Sequence, residues 1–181
     1  MSFIFGCNTK KGEVLHLFRV NSDQWIEMGD ATWSLDQEKL VGTVSAGSGF
    51  VMTSDRYTDF ILELEFFPDR TVNSGIFIRC EEQAISATKC YELNIWDQHP
   101  EQTARTGAVV LRSPPLKLVH TIDRWNRYRI VCRQNNISAW INDQQVADLT
   151  DNSLTNGFIG LQAAESGSIR FRNIRLTTLG D

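Results

Sequence analysis

Long apolar runs are missing from this chain: none of its 181 residues belong to a stretch near the roughly 18 to 20 residues that a membrane-spanning helix requires. Clustered basic charge is scarce as well. With 18 Lys and Arg against 22 Asp and Glu, the net charge of −4 argues against nucleic acid as a partner, because phosphate binding needs grouped cations. The one dense basic run, residues 124–133, alternates Arg127, Arg129 and Arg133 with Tyr128, Ile130 and Cys132, which reads as the solvated face of a strand. The four cysteines, Cys7, Cys80, Cys90 and Cys132, lack the paired spacing of a zinc site. No cofactor is expected, and although a divalent cation is compatible with the fold class, no acidic cluster has a recognisable ligand spacing. Helical periodicity is nearly absent too.

What the chain does have is alternation of apolar and polar residues in short runs bounded by Gly, Asn, Asp and Pro, the pattern of an all-β antiparallel sandwich. Residues 60–66 set Phe60, Leu62, Leu64 and Phe66 against Ile61, Glu63 and Glu65. Further strands are expected within 33–35, 39–41, 49–53, 75–79, 91–96, 128–133, 137–142, 157–162 and 169–176. Asn135-Asn136 and Asn142-Asp143 are hairpin-turn signals, since Asn and Asp tolerate positive φ. Residues 97–106 and 113–124 are the longest unpatterned segments, and such loops often carry function. Size and the lack of any linker predict a single domain over 1–181.

Because side chains alternate along a strand, Ile76, Ile78, Tyr91, Leu93, Ile95, Ile137, Ala139 and Ile141 can share an apolar face. The opposite face then collects Phe77, Arg79, Glu92, Asn94, Trp96, Trp140 and Asn142. Charged, amide and indole groups on one surface suit a ligand with hydroxylated edges and apolar ring faces, which is a saccharide. Cys80 closes one strand and Cys90 opens the next, so antiparallel pairing would bring them together as a disulfide. Cys132 reads as a buried apolar filler. At the N-terminus, Phe3-Ile4-Phe5-Gly6-Cys7 resembles the end of a bacterial lipoprotein signal, with an apolar stretch shorter than the about 7 to 15 residues such a signal needs.

Six motifs occur in series: Asn73-Ser74-Gly75-Ile76-Phe77-Ile78-Arg79, Tyr91-Glu92-Leu93-Asn94-Ile95-Trp96-Asp97, Thr106-Gly107-Ala108, Trp125-Asn126, Gly157-Phe158-Ile159-Gly160-Leu161-Gln162 and Phe171-Arg172-Asn173-Ile174. Together they resemble the 3-keto-disaccharide hydrolase domain family over residues 14–179. That resemblance implies a concanavalin A-like jelly roll with a concave sugar-facing sheet, in an exported bacterial protein of carbohydrate metabolism. By the same motifs Arg79, Glu92, Asn94 and Asp97 line the site with His99 on its rim, while Trp96, Trp140 and Asn142, from the shared strand face, and Gln162 are expected to bind substrate. The chain departs from the family pattern at Ala163 and Ala164, where a His is usual, and at Val109 and Val110, where a Tyr is usual.

A conventional glycosidase holds two carboxyls about 5 to 5.5 Å or 6.5 to 9.5 Å apart. Glu92 and Asp97 are separated by roughly 16 Å of extended strand and fit neither distance. A 3-keto sugar relaxes the demand, because its carbonyl acidifies the C2 hydrogen and the group at C1 then leaves by elimination. One base, one acid and one polariser suffice. Glu92 or His99 is the expected base, Arg79 the polariser, and Asp97 the group that orients His99 or protonates the leaving oxygen. A non-catalytic module of lectin type is the second reading, and an interaction domain resembling laminin G domains the third.

Overall fold

The computed structural model describes residues 12–18 and 25–180. The lipoprotein-like Phe3 to Cys7 segment lies outside them. Among the described residues there are thirteen strands and one 3₁₀ turn: β1 (Val14–His16), β2 (Trp25–Gly29), β3 (Thr32–Asp36), β4 (Lys39–Val44), β5 (Ser48–Thr53), β6 (Phe60–Pro68), β7 (Val72–Cys80), β8 (Tyr91–Ile95), β9 (Asn126–Arg133), β10 (Asn136–Ile141), β11 (Gln144–Thr150), β12 (Phe158–Glu165) and β13 (Gly167–Thr178), with the turn at Gln102–Ala104. Among the described residues no helix is long and apolar enough to cross a membrane, which says nothing of a β-barrel.

Two antiparallel sheets pack face to face as a jelly-roll sandwich. The larger runs β11-β10-β9-β6-β13-β4-β3, with β1 also on β13, and the smaller runs β2-β5-β12-β7-β8. The alternation explains the core. In β6 the residues Phe60, Leu62, Leu64 and Phe66 point inward and are buried, while Ile61, Glu63, Glu65 and Phe67 stay half-exposed. From the smaller sheet Ile76, Ile78, Tyr91, Leu93, Ile95 and Leu161 meet them, forming one apolar cluster with Tyr128, Ile130, Ile137, Ala139 and Ile141. The expected apolar face is therefore real, but it is built from the inner faces of both sheets.

The turns form as their residues dictate. Asn142 and Asp143 take φ of 48° and 64°, the left-handed pair of a two-residue hairpin between β10 and β11. Cys80 and Cys90 are disulfide-bonded, closing the loop between β7 and β8. Cys132 is free and buried, and burial pushes its thiol up to about 12.

Candidate functional site

The strand registers of the smaller sheet define its outer face as rows of side chains. Ile26, Met52, Gly160, Phe77 and Glu92 form one row, and Met28, Phe50, Gln162, Gly75 and Asn94 the next. Ser48, Ala164 and Asn73 begin a third, toward the β8 end where Trp96 follows. One side of this face is apolar: Met52, Phe77, Cys80 and Cys90 make a second buried cluster, joined by Ile26, Phe50, Ile85 and Phe158. Ile85 belongs to the disulfide-closed loop, and its Cγ2 lies 3.5 Å from where a side chain on Gly160 would begin, so the loop packs over this strand. The other side is polar.

Glu92 is the centre of the polar side. Its side chain lies over Gly75: a Cβ on that glycine would sit 3.2 Å from Glu92 Oε1 and 3.3 Å from the Phe77 ring. No donor among the described residues reaches the carboxyl, and desolvation alone raises its pKa from 4.5 to about 7. The free side of β8 is covered, since Val110 N–H donates to the Glu92 carbonyl and Gly107 and Ala108 bond to Asn94. Two amides share the carboxyl's isolation. Gln162, 9% exposed, donates Nε2 to Ser48 Oγ at 3.2 Å, leaving Oε1 buried without a partner, and Asn73 Oδ1 is buried and unpartnered likewise. Buried polar atoms are seldom left unpaired, so these two amide oxygens on adjacent strands, beside the half-buried Glu92, mark a place that a polar ligand completes.

Several expected site residues are elsewhere. Arg79 takes φ of 52° at a bulge where β7 slips against β12, so its side chain turns into the sandwich instead of joining Glu92. It is fully buried, donating to the carbonyls of Thr58 and Leu154 and pairing with Asp59 at 3.1 Å. Phe77, not Arg79, is opposite Glu92. Trp140 lies on the larger sheet, under the guanidinium of Arg129 at 5.2 Å, and Asn142 caps the β9-β10-β11 corner by accepting from Arg127 N–H and donating to Asn126 Oδ1. Neither shares a face with Glu92, because β10 pairs with β9.

The loop after β8 organises itself. Asp97 accepts from Thr121 N–H at 2.7 Å and Thr121 Oγ1 at 2.9 Å, with Arg105 at 3.9 Å, so it ties two loops together and does not orient His99. His99 packs edge-on against Trp96 at 4.6 Å and engages the Glu101 backbone through Nδ1. Asn94 stands on the Glu92 face, but its amide is used internally by Ala104 O and Ile95 N–H. The structure thus brings together Glu92, Gln162, Asn94 and the Asn73 that the sequence reading had not assigned. Carrying the alternation two positions back from Gly75 would have placed Asn73 beside them. The departures divide by face: Ala163 and Val109 are core residues, whereas Ala164 is opposite Asn73 on the outer side.

A cavity of about 480 Å³ lies apart, between Leu17, Leu35, Leu40 and Ile174, and shares no residue with this face. Among the described residues its walls hold neither a perturbed carboxyl nor an orphaned acceptor, so the chemistry favours the Glu92 face. Among the described residues no three His, Cys, Asp or Glu side chains converge as metal ligands would.

A family model described as a 3-keto-alpha-glucoside-1,2-lyase-like domain matches residues 16–177. The fold is similar to a Parabacteroides distasonis protein described as a "putative glycosyl hydrolase", at 26% identity and a TM-score of 0.72 over 81% of this chain and 90% of that one. It is similar also to carbohydrate-binding module CBM66 of Bacillus subtilis (18% identity, TM-score 0.67, 86% and 96% covered) and to the β-glucanase of Bacillus licheniformis (13%, 0.67, 95% and 100%). These last two show the fold alone. Among curated proteins none matches the sequence.

Proposed function

Because the chain belongs to the 3-keto-alpha-glucoside-1,2-lyase-like domain family, we propose that it cleaves 3-keto-glycosides by elimination at the outer face of the smaller sheet, with Glu92 as the base. The observation that carries this reading is an unpaired carboxyl held at a pKa of about 7, beside a bare glycine and an aromatic ring. A base with a pKa near the working pH is half ionised and still strong enough to take a carbon-bound proton that a neighbouring carbonyl has acidified.

The step balances as follows. Glu92 takes the C2 hydrogen as a proton, and the C–H electron pair moves into the C2–C3 bond while the ketone becomes an enolate. The enolate reverts to the ketone as a C1–C2 double bond forms and the C1–oxygen bond breaks, and the leaving oxygen takes a proton. Water adding across C1–C2 would return the free keto sugar. One carboxyl is sufficient for this step. The polarising role expected of Arg79 passes from it, since its guanidinium is engaged inside the sandwich. Phe50, half-buried on the same face, offers apolar surface to a ring face.

Turnover of p-nitrophenyl 3-keto-α-glucoside tests the proposal, with the unoxidised glucoside as control. Aglycone release from the keto compound alone is expected, and binding of both without release favours the lectin reading. An exported setting is part of the proposal, supported by the Cys80–Cys90 bridge, since disulfides persist where the environment oxidises.

A further inference from the structure

We propose that Asn73 and Gln162, set diagonally across β7 and β12 beside the bare backbone of Gly75, form a subsite that holds unoxidised hydroxyl groups of the sugar whose C2 faces Glu92. The inference rests on the proposed reaction for the position of C2, but its own support is separate. Gln162 is opposite Gly75 and Asn73 is opposite Ala164, so the two amides are diagonal neighbours, about 7 to 8 Å apart at the backbone. Neither Gly75 nor Ala164 raises a side chain of any length between them. The orphaned atoms are both oxygens, Oε1 of Gln162 once Nε2 is given to Ser48, and Oδ1 of Asn73. Asn73 has no side-chain hydrogen bond to any described residue.

The chemistry of the occupant follows. Amide oxygens accept only, so the group that satisfies them must donate. A hydroxyl donates. At those two oxygens the subsite therefore selects an edge of the ring that still carries hydroxyls. Sites built to hydrogen-bond a hydroxyl discriminate strongly against analogues lacking it, because the acceptors then remain buried and unpaired.

The test compares the parent p-nitrophenyl 3-keto-α-glucoside with its 4-deoxy and 6-deoxy analogues on the wild type, Asn73→Ala and Gln162→Met. Each variant should lose about tenfold in kcat/KM on the parent, the equivalent of one well-formed hydrogen bond in a closed site. On the deoxy analogue that lacks the hydroxyl it holds, the variant should lose nothing further. Melting temperature separates this from a structural role: Asn73→Ala removes no internal hydrogen bond and should melt with the wild type. Unchanged kcat/KM in both variants, or an equal loss on parent and every analogue, overturns the subsite while the reaction stands. If the wild type releases no aglycone but binds methyl α-glucoside, and both variants weaken that binding, the reaction fails and the subsite is upheld. A wild type that neither turns over nor binds these compounds overturns both.

Discussion

Replacing Glu92 by Gln should make the protein more stable and catalytically poor at the same time, and the size of the first effect depends on pH. Gln keeps the shape of the side chain and asks for no buried charge. A carboxyl raised from 4.5 to about 7 binds its proton more tightly when folded, so wild-type stability is full below about pH 4.5 and falls as pH rises through about 7. Above that the fall is complete, at about 3 kcal/mol by the usual conversion of pKa into free energy. Glu92→Gln escapes that fall. The variant should match the wild type near pH 4 and exceed it by up to about 3 kcal/mol at pH 8.5, a rise of about 6 to 12 °C in melting temperature for a chain of this size. Urea unfolding at the two pH values measures this directly. Over the same range kcat/KM of the wild type should climb through about pH 7, and the variant should lose about 10² to 10⁴ in rate. Stability curves that run parallel from pH 4 to 8.5 would refute the reasoning, because they would mean the carboxyl is as well solvated in the fold as outside it.

Arg79→Met breaks the buried pair with Asp59 and frees two carbonyls, so urea unfolding should show a loss of about 3 to 5 kcal/mol, with turnover per folded molecule retained. Trp140→Ala should leave turnover unchanged in steady-state assays, because the residue is on the other sheet. Reducing the Cys80–Cys90 bridge should lower stability by about 2 to 3 kcal/mol, as expected for a loop of sequence separation 10, and denaturant midpoints with and without dithiothreitol check this. Asp97→Asn should loosen the Thr121 loop, read as faster amide exchange at Thr121, without shifting the pH–rate profile.

Alternation carried the strands because each has one face in the core. It assigned Phe60 to Phe66 residue by residue, matching the burial found, whereas in β8 the outer-face Asn94 is buried along with Leu93 and Ile95. It failed where local geometry interrupts the period. In β11 an extra residue opposes β10 between Ala139 and Trp140, so Val146 and Ala147 are both buried and no alternation remains to read. The left-handed backbone at Arg79 misplaced a side chain for the same reason, as nothing in Ile-Arg-Cys announces it. Trp140 failed differently: alternation tells which side a residue takes, but not which sheet, and that is fixed by pairing with a strand distant in sequence. Glu92 was legible as a candidate from its neighbours, whereas its raised pKa arises from burial among β7, β8 and the segments packed on them, which no local pattern encodes.

The central claim is that the bond broken first is C2–H, by the Glu92 carboxylate. The most direct test follows the isotope: 3-keto-α-glucoside labelled with deuterium at C2 is turned over in ordinary water, and the sugar product is examined by mass spectrometry against an enzyme-free control. Elimination predicts that the deuterium is lost to solvent with every aglycone released, and that Glu92→Gln slows both events together. Aglycone release with the C2 deuterium fully retained in the sugar would contradict the account, because the bond to C1 would then have been cleaved by direct displacement.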